Sequence, residues 1–238
     1  MSLPTFISTD PLAAESSLTL GEDAAHHLRV LRLDAGARVR LADGQGSRGL
    51  GTVLRIAKRN ATVHVDECAF TEPLPSVHLI VPIADRERML WLGEKVTELG
   101  ASSWRPVLFR RSRSVTPRGE GPTFQQRLRA RMASALEQSG GAWLPVPYPD
   151  ATVETGIAAA PDGVRIVLDR DGAPLVSLLQ GEPSAPVTIV IGPEGGLELA
   201  ELEAFDRAGF RAASMGSSLL RFETAGVAAL AVARAVRG

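Results

Sequence analysis

The first 70 residues show a pattern of short apolar runs separated by turn-forming residues. The run Val39 to Ala42 ends in Asp43-Gly44-Gln45-Gly46, which has the composition of a hairpin turn. Two further stretches, Gly49 to Ala57 and Ala61 to Val65, alternate apolar with polar or small residues. Strands this short and this closely spaced predict a small β-barrel.

The linker Thr71 to Ser76 contains two prolines, Pro73 and Pro75, and such a segment is stiff and extended. We therefore expect two domains, residues 1–72 and 73–238. At 238 residues the chain is long enough for both.

The second domain alternates apolar runs with helical patterns, which predicts an α/β fold with a mainly parallel sheet. The predicted strands are Val77 to Ile83, Trp104 to Leu108, Val164 to Leu168, Val187 to Ile191 and Phe210 to Met215. The first predicted helix is capped by Asp85, has Met89, Leu92, Val96 and Leu99 on one face, and ends at Gly100. A second helix is predicted over Phe124 to Ser139, after a mobile loop from Ser114 to Pro122.

Two helical patterns follow the glycine-rich segment of the α/β region. In the first, Leu199, Leu202, Phe205 and Ala208 define an apolar face, and Gly209 is a plausible terminator. The second, Thr224 to Val236, is apolar on nearly every side, with Thr224 as a possible N-cap. A helix of this kind has to be covered on most sides, and a second subunit is a natural cover.

Composition narrows the setting of the protein. A single cysteine, Cys68, excludes an internal disulfide framework, and no Cys/His pair has the spacing of a zinc site. The N-terminus lacks the pattern of a signal peptide, and no apolar run approaches the about 18 residues that a membrane span needs. We expect a cytoplasmic protein that is neither exported nor membrane-spanning, without a structural metal.

The net charge of −1 hides an uneven distribution. Residues 86–131 hold eleven Lys or Arg against four Glu, whereas residues 132–238 hold seven against thirteen acids. A basic surface of this kind can contact nucleic-acid phosphates while the acidic remainder keeps the protein soluble.

The candidate chemistry lies in two segments near the C-terminus. Ile189-Val190-Ile191 leads into Gly192-Pro193-Glu194-Gly195-Gly196, and Ser214 to Ala225 contains Gly216, Leu219-Leu220-Arg221 and Glu223-Thr224. A glycine turn after a buried parallel strand lets a ligand lie against bare peptide groups. The two segments alone would suit several nucleotides.

These two segments resemble the SPOUT superfamily of methyltransferases, and within it the family that methylates N3 of a uridine in 16S ribosomal RNA. That family carries a Gly-Pro-Glu-Gly-Gly turn and then Leu-Gly-x-x-Ile-Leu-Arg-x-Glu-Thr-Ala, which is matched here by Met215 to Ala225, with Met215 in place of the first Leu and Leu219 in place of Ile. The segment His26 to Leu33 is similar to its His-x-x-x-Val-Leu-Arg segment, and Glu94 to Ala101 is similar to its Lys-x-x-Glu-Leu-Gly-Val segment. The resemblance covers most of the chain.

The resemblance implies an N-terminal PUA-like barrel that helps to hold RNA, followed by an α/β domain with a deep trefoil knot. True knots are nearly absent from proteins, so periodicity could not have suggested this one. It also implies a homodimer with the ligand site near its interface, and S-adenosylmethionine as methyl donor, with S-adenosylhomocysteine as product. The implied donor-binding residues are Leu168, Ile191, Gly192, Pro193, Gly195, Gly196, Met215, Gly216, Ser217, Leu219, Leu220 and Arg221.

N3 of uracil carries an imide proton, so its methylation requires proton removal and stabilisation of the resulting anion. Arg221 is the expected cationic partner of that anion, with Glu223 orienting it or acting as base. Arg221 could equally be a structural partner of Glu194 or Glu223. Glu194 is a third catalytic candidate, although a carboxylate beside glycine amides often only holds the loop.

The expected RNA contacts are His27, Arg29 and Arg32 in the first domain and Arg110, Arg111 and Arg113 in the second. A solvated surface is the alternative for both groups. The sequence departs from the family at Glu137-Gln138-Ser139-Gly140, where Gly141 replaces the usual Arg. Either that contact is dispensable, or a neighbour such as Arg131 or Arg110 supplies it.

Other function classes fit less well. A dinucleotide-dependent oxidoreductase would need Gly-x-Gly-x-x-Gly after a strand, and the chain has neither this motif nor a Gly-Lys-Ser/Thr phosphate loop. A serine hydrolase would need Gly-x-Ser-x-Gly, which is also absent. Two alternatives remain open: a related methyltransferase that acts on tRNA or on a ribose 2′-oxygen, and a non-catalytic RNA-binding assembly factor.

Overall fold

The computed structural model describes residues 3–112 and 122–238. The described residues form two compact units. The N-terminal unit comprises the residues through Pro73 together with Ala133–Leu144, and the α/β unit comprises the rest. The predicted loop Ser114 to Pro122 falls outside the described residues up to position 121, and Pro122 begins a helix.

The N-terminal unit is built around a five-stranded sheet in the order β1-β3-β4-β5-β2. Its elements are β1 (Thr5–Ile7), β2 (Ser16–Leu20), α1 (Glu22–Val30), β3 (Arg38–Ala42), β4 (Ser47–Ile56) and β5 (Ala61–Phe70). The Asp43 carboxylate accepts hydrogen bonds from the backbone N–H groups of Gln45 and Ser47, which fixes the predicted turn between β3 and β4. Phe6, Leu28 and Val53 lie in its buried core.

Residues 133–144 complete this unit although they are far away in sequence. The Trp143 ring packs edge-on against Phe70, and its indole N–H donates to the Thr71 carbonyl at 2.9 Å. The Glu137 carboxylate accepts the backbone N–H of Ile7 at 3.0 Å. The predicted domain 1–72 leaves out residues 133–144, although they belong to the N-terminal unit.

The α/β unit contains a six-stranded sheet in the order β11-β9-β10-β6-β7-β8, in which all neighbouring strands are parallel. Its strands are β6 (Val77–Pro82), β7 (Ser103–Val107), β8 (Val146–Pro147), β9 (Val164–Pro174), β10 (Val187–Val190) and β11 (Arg211–Ser214). Its helices are α2 (Arg86–Glu98), α3 (Pro122–Ser139, which continues into the N-terminal unit), α4 (Val153–Ala158), α5 (Leu175–Leu179), α6 (Leu199–Arg207) and α7 (Phe222–Arg237). This confirms the α/β prediction.

The predicted start of α2 is confirmed, because the Asp85 side chain accepts the N–H of Arg88 at 3.1 Å. Two details predicted for later helices were wrong. Leu199 is 72% exposed, since as the first residue of α6 it lies beyond the face that Phe205 buries. Thr224 does not cap α7, because the helix begins earlier at Phe222, with Arg221 as its N-cap. In the described part of the chain, no helix is both long and apolar enough to cross a membrane.

Candidate donor and active site

Three segments surround a cleft of about 530 Å³ that lies at the carboxyl ends of β10 and β11 and beside the middle of β9. The first is the turn after β10, the second is the loop between β11 and α7, and the third belongs to β9. The cleft is lined by Leu168, Asp169, Arg170, Asp171, Ile191, Gly192, Pro193, Glu194, Gly195, Gly196, Leu197, Ala213, Met215, Gly216, Ser218, Leu219, Leu220, Arg221, Phe222 and Ala225. The structure thus brings together every predicted donor-binding residue except Ser217.

The β9 wall was only partly anticipated. Leu168 was expected at the end of its strand, but β9 continues to Pro174. Its pairing with β11 jumps from Val167 to Ala173, so residues 168–172 leave the ladder, and residues 168–171 form one wall of the cleft. Asp169, Arg170 and Asp171 therefore line the cleft, although they are not among the predicted donor-binding residues. Their position directly after a buried apolar run is the signal that could have found them.

Two glycines of the cleft leave free space against its backbone. Gly196 and Gly216 have φ angles of +72° and +116°, in the left-handed region that favours glycine. A Cβ atom added at either position would have no atom within 4 Å, so the free space lies against bare backbone. Leu219, 86% exposed, and Leu220 present apolar side chains to the same cleft. This combination fits a ligand with a flat base and polar edges, such as S-adenosylmethionine.

A charged cluster, formed by Glu194, Glu223 and Arg88, adjoins the cleft. Arg88 Nη1 lies 3.3 Å from Glu194 Oε1, and Arg88 Nε lies 3.8 Å from Glu223 Oε1. The Glu223 side chain is only 12% exposed, and its buried Oε2 has no hydrogen-bond partner within the described residues. Arg88 was missed from the sequence, because an arginine in an amphipathic helix is typical of a solvated face.

Arg221 stands apart from this cluster. As the N-cap of α7 it lines the cleft, its side chain is exposed, and it forms no hydrogen bond or ion pair with a described side chain. The two carboxylates that the sequence offered as its partners are held by Arg88 instead. Its guanidinium is therefore free to meet a ligand.

Two arginines after β7 contact the glycine turn or the helix α6 that follows it. Arg111 Nη1 donates to the Gly195 carbonyl at 3.0 Å, and its Nε lies 3.8 Å from Glu198. The Arg110 side chain is exposed, while its backbone N–H donates to the buried carboxylate of Glu201. Arg113 lies outside the described residues. Arg111 thus has an internal partner at the cleft in addition to its predicted role.

The three N-terminal candidates for RNA contact lie on α1 or directly after it. His27 and Arg29 are exposed residues of α1, and exposed Arg32 follows it with a φ of +55°. The His27 ring packs edge-on against Phe6, and Arg29 donates to the Ala57 carbonyl at 2.6 Å.

Gly141 stands where the family usually has Arg, and a different arginine, Arg48, contacts the neighbouring Gly140. Arg48 is neither of the two substitutes, Arg131 and Arg110, that the sequence suggested. Arg48 Nη1 donates to the Gly140 carbonyl at 2.9 Å. Arg131, one of the suggested substitutes, pairs with Glu94 instead. Among the described residues, no group of His, Cys, Asp or Glu side chains could hold a metal ion.

Comparisons with known proteins agree with both units. A model described as an RNA methyltransferase PUA domain matches residues 20–66, and one described as an RNA methyltransferase domain matches residues 71–234. The ribosomal RNA small subunit methyltransferase E of Synechocystis sp. is 29% identical over 91% of this chain and 72% of its own length. The protein of the same name from Rickettsia conorii is 26% identical over 94% of this chain and 91% of its own.

Solved structures show the same fold. The ribosomal RNA small subunit methyltransferase E of Neisseria gonorrhoeae, bound to S-adenosyl methionine, aligns with a TM-score of 0.89 at 25% identity, over 99% of this chain and 98% of its own. A probable rRNA-methyltransferase from Porphyromonas gingivalis aligns with a TM-score of 0.85 at 29% identity, over the same shares of the two chains.

The predicted PUA-like domain and α/β methyltransferase domain are therefore confirmed, while the threading of the C-terminal segment through a knot stays a prediction. The match over residues 71–234 places its boundaries around the whole cleft and its charged cluster. The chain belongs to the RNA methyltransferase domain family and carries that family's PUA domain ahead of the catalytic one.

Proposed function

We propose that this RNA methyltransferase transfers a methyl group from S-adenosylmethionine to N3 of a uridine in 16S ribosomal RNA. The observation that carries the proposal is the cleft of about 530 Å³, in which open glycine backbone, apolar Leu219 and Leu220, and an unpaired Arg221 face the same space. The names of the relatives, and the S-adenosyl methionine bound to the Neisseria structure, support the donor and the RNA class.

The backbone of residues 191–196 and 215–220 would hold the donor, with N–H and C=O groups for the adenine edge and Leu219 and Leu220 for its faces. S-adenosylmethionine supplies an electrophilic methyl group on a sulfonium centre. Holding a nucleophile in line with such a group removes about 7–11 kcal/mol of the barrier. The role of the protein here is therefore mainly one of positioning.

The remaining chemistry concerns the imide proton and the negative charge on uracil. When the N3 proton leaves, the negative charge spreads over the flanking carbonyl oxygens, and Arg221 is placed to stabilise it. Glu194 lines the cleft with its side chain 31% exposed, whereas Glu223 is more deeply buried, so Glu194 is the more accessible acceptor of the proton. Arg88, within ion-pair distance of both carboxylates, would hold them in position beside the cleft. The N3 lone pair then forms the new N–C bond as the C–S bond breaks.

The direct test uses labelled S-adenosylmethionine with either small ribosomal subunits or tRNA, followed by reverse transcription. Methylation at N3 destroys the Watson–Crick edge and stops the polymerase, so we expect one new stop in 16S ribosomal RNA. Label in RNA without a stop would indicate ribose 2′-oxygen chemistry. Label in tRNA alone would show that the substrate is tRNA and not 16S ribosomal RNA. Absence of label, with donor binding also absent, would favour an RNA-binding assembly factor.

A substitution at Arg221 tests its assigned role. Because its side chain has no described partner, Arg221→Ala should leave the melting temperature unchanged. We expect turnover to fall about 10²-fold, by analogy with loss of one anion-stabilising donor, while donor affinity changes by less than about threefold. Arg211→Ala, which removes an exposed arginine from β11, is the matched control. Unchanged turnover in Arg221→Ala would remove this residue from the mechanism.

RNA contacts by His27, Arg29, Arg32, Arg110, Arg111 and Arg113 belong to the same proposal, as does a cytoplasmic location, where ribosomal subunits are found. A homodimer is supported by an apolar stripe on α7 that stays half-buried or exposed in the single chain: Ala228, Ala231, Val232 and Ala235. Sedimentation velocity would check it, and a monomer at micromolar concentration would contradict it.

A further inference from the structure

A row of polar residues crosses three apolar strands near the amino edge of the α/β sheet. Ser103 on β7, His78 on β6 and Thr188 on β10 are register partners, so their side chains share one face. His78 Nδ1 lies 2.8 Å from Ser103 Oγ. Thr188 is only 2% exposed, and its hydroxyl has no hydrogen-bond partner within the described residues. A buried hydroxyl without a partner is destabilising, so its presence calls for an explanation.

The polar row faces a cavity of about 200 Å³. Its wall includes Gly156 on α4 and the turn that follows this helix. Arg165 holds that turn in place, with Nη2 donating to the Ala160 carbonyl at 3.0 Å and Nε donating to the Pro161 carbonyl at 3.4 Å. The cavity shares no lining residue with the donor cleft. It is a separate space beside β6, β7 and the amino-terminal half of β10, whereas the donor cleft lies beyond the carboxyl end of β10.

The cavity carries a positive charge without a counter-ion. Arg105 lines it, and its guanidinium carbon lies 4.1 Å from the centre of the Tyr148 ring. Arg105 is half-buried and forms no ion pair with a carboxylate in the described part of the chain. No Asp or Glu is present among the lining residues. A partly desolvated cation surrounded by hydroxyl and imidazole groups favours an anionic ligand.

We propose that this cavity is a second ligand site, which binds a small oxyanion, either a phosphate or a carboxylate group. Arg105 is its counter-ion, since a guanidinium matches both groups with paired hydrogen bonds. Thr188 donates its otherwise unpaired hydroxyl to the same ligand, and the His78–Ser103 pair borders it. The proposal does not depend on the methylation reaction, because it uses none of the residues of the donor cleft.

The test measures binding of inorganic phosphate and of acetate to the full-length protein by calorimetry and thermal shift, at constant ionic strength. We expect one of the two anions to raise the melting temperature at concentrations up to about 10 mM, since a ligand that binds only the native state stabilises it. A response to phosphate alone would assign a phosphate-bearing ligand, and a response to acetate alone a carboxylate. A response to neither would overturn the proposal.

Variants locate the binding. Arg105→Gln should weaken anion affinity at least about tenfold, and Thr188→Val at least about threefold, which are the losses expected for a charged and a neutral hydrogen bond. Arg207→Gln, at an exposed position on α6, should bind as the wild type does. Without ligand, Thr188→Val should melt no lower than wild type, because the hydroxyl has no internal partner. Unchanged affinity in both Arg105→Gln and Thr188→Val would overturn the site even if an anion binds the protein.

Discussion

At the scale of single residues, Arg88 is the side chain that holds the charged cluster beside the cleft together. Removing it leaves Glu223 buried next to Glu194 with no cation between them. Arg88 is itself 38% exposed, so water screens part of the loss. We expect Arg88→Gln to lower the free energy of unfolding by about 1–2 kcal/mol and to lower turnover as well.

A second variant separates the two effects of Arg88. Arg88→Gln combined with Glu223→Gln removes the unpaired buried charge, so denaturant unfolding should show recovered stability while methylation stays impaired. Arg127→Gln, which breaks the more exposed pair with Glu87, should behave like the wild type in both assays. Equal losses in the Arg88 and Arg127 variants would mean that the cluster has no special role.

Glu137 links the N-terminal unit to pH. Burial raises the pKa of Glu137 from its ordinary value of 4.5, and the hydrogen bond from the Ile7 N–H only partly opposes this. The raised pKa means that ionisation is less favourable in the folded state, so stability falls as pH rises from about 4.5 through the folded-state value.

Glu137→Gln should remove this pH dependence, because the amide oxygen can still accept the Ile7 N–H without carrying a charge. Urea unfolding at several pH values should show the variant close to wild type near pH 4 and more stable near pH 7, a difference that grows with pH. Glu72→Gln removes an exposed charge from the same unit and serves as control. A gap that is constant with pH would contradict the assignment.

At the scale of elements, the glycine turn after β10 combines two demands, a left-handed backbone and an open surface. Gly196 and Gly209 are a natural pair for separating them: their φ angles are +72° and +80°, and an added Cβ would contact nothing at either. Only Gly196 lines the cleft. Both Gly→Ala variants should lose about 1 kcal/mol of stability from backbone strain.

Donor affinity distinguishes these two variants. Calorimetric titration with S-adenosylmethionine should show binding weakened by about tenfold for Gly196→Ala and nearly wild-type binding for Gly209→Ala, since a blocked hydrogen bond costs about 1–3 kcal/mol and 1.4 kcal/mol corresponds to a factor of about ten. Equal donor affinities would show that the backbone at Gly196 does not meet the donor.

Helices and strands could be predicted where burial of every residue produces an unbroken apolar run in the sequence. The run Val187 to Ile191 is buried on both faces, so its apolar residues and the glycines after it were enough to place the strand and the cleft. Contacts between distant segments leave no such pattern. Arg88 meets Glu194 across 106 residues, and Thr188 is a single polar residue within an apolar strand. Neither pairing nor cavity can be inferred from local periodicity.

At the scale of the whole molecule, the basic stretch from 86 to 131 is less free than its charge count suggests. Arg88, Lys95, Arg111, Arg127 and Arg131 each lie within ion-pair distance of a carboxylate. Acids on α2 and near the glycine turn therefore neutralise part of the surface that the sequence offered to RNA. Arg110 is exposed and lies within ion-pair distance of no carboxylate in the described part of the chain, with Glu154 near enough only for a longer-range attraction, so it is a stronger candidate for a phosphate contact than the five paired residues.

The N-terminal unit is discontinuous in sequence, and this leads to a prediction about fragments. Residues 133–144 contribute the Trp143 contact with Phe70, the Glu137 bond to Ile7 and the Arg48 bond to Gly140. In addition, the Gly46 N–H donates to the Ala142 carbonyl at 2.9 Å. A fragment of residues 1–73 lacks all of these, so it should be markedly less stable than the same fragment joined to residues 133–144 through a flexible linker.

Thermal unfolding of the two fragments checks this prediction. Losing the contacts of the half-buried Trp143 side chain alone should cost about 1–3 kcal/mol, which corresponds to roughly 5–15 °C in a domain of this size. A joined fragment carrying Trp143→Ala and Glu137→Ala controls for the linker and should melt close to the short fragment. If the short fragment melted as high as the joined one, residues 133–144 would be an attachment to an independently stable barrel. The PUA domain of this methyltransferase would then fold without help from the segment that follows α3.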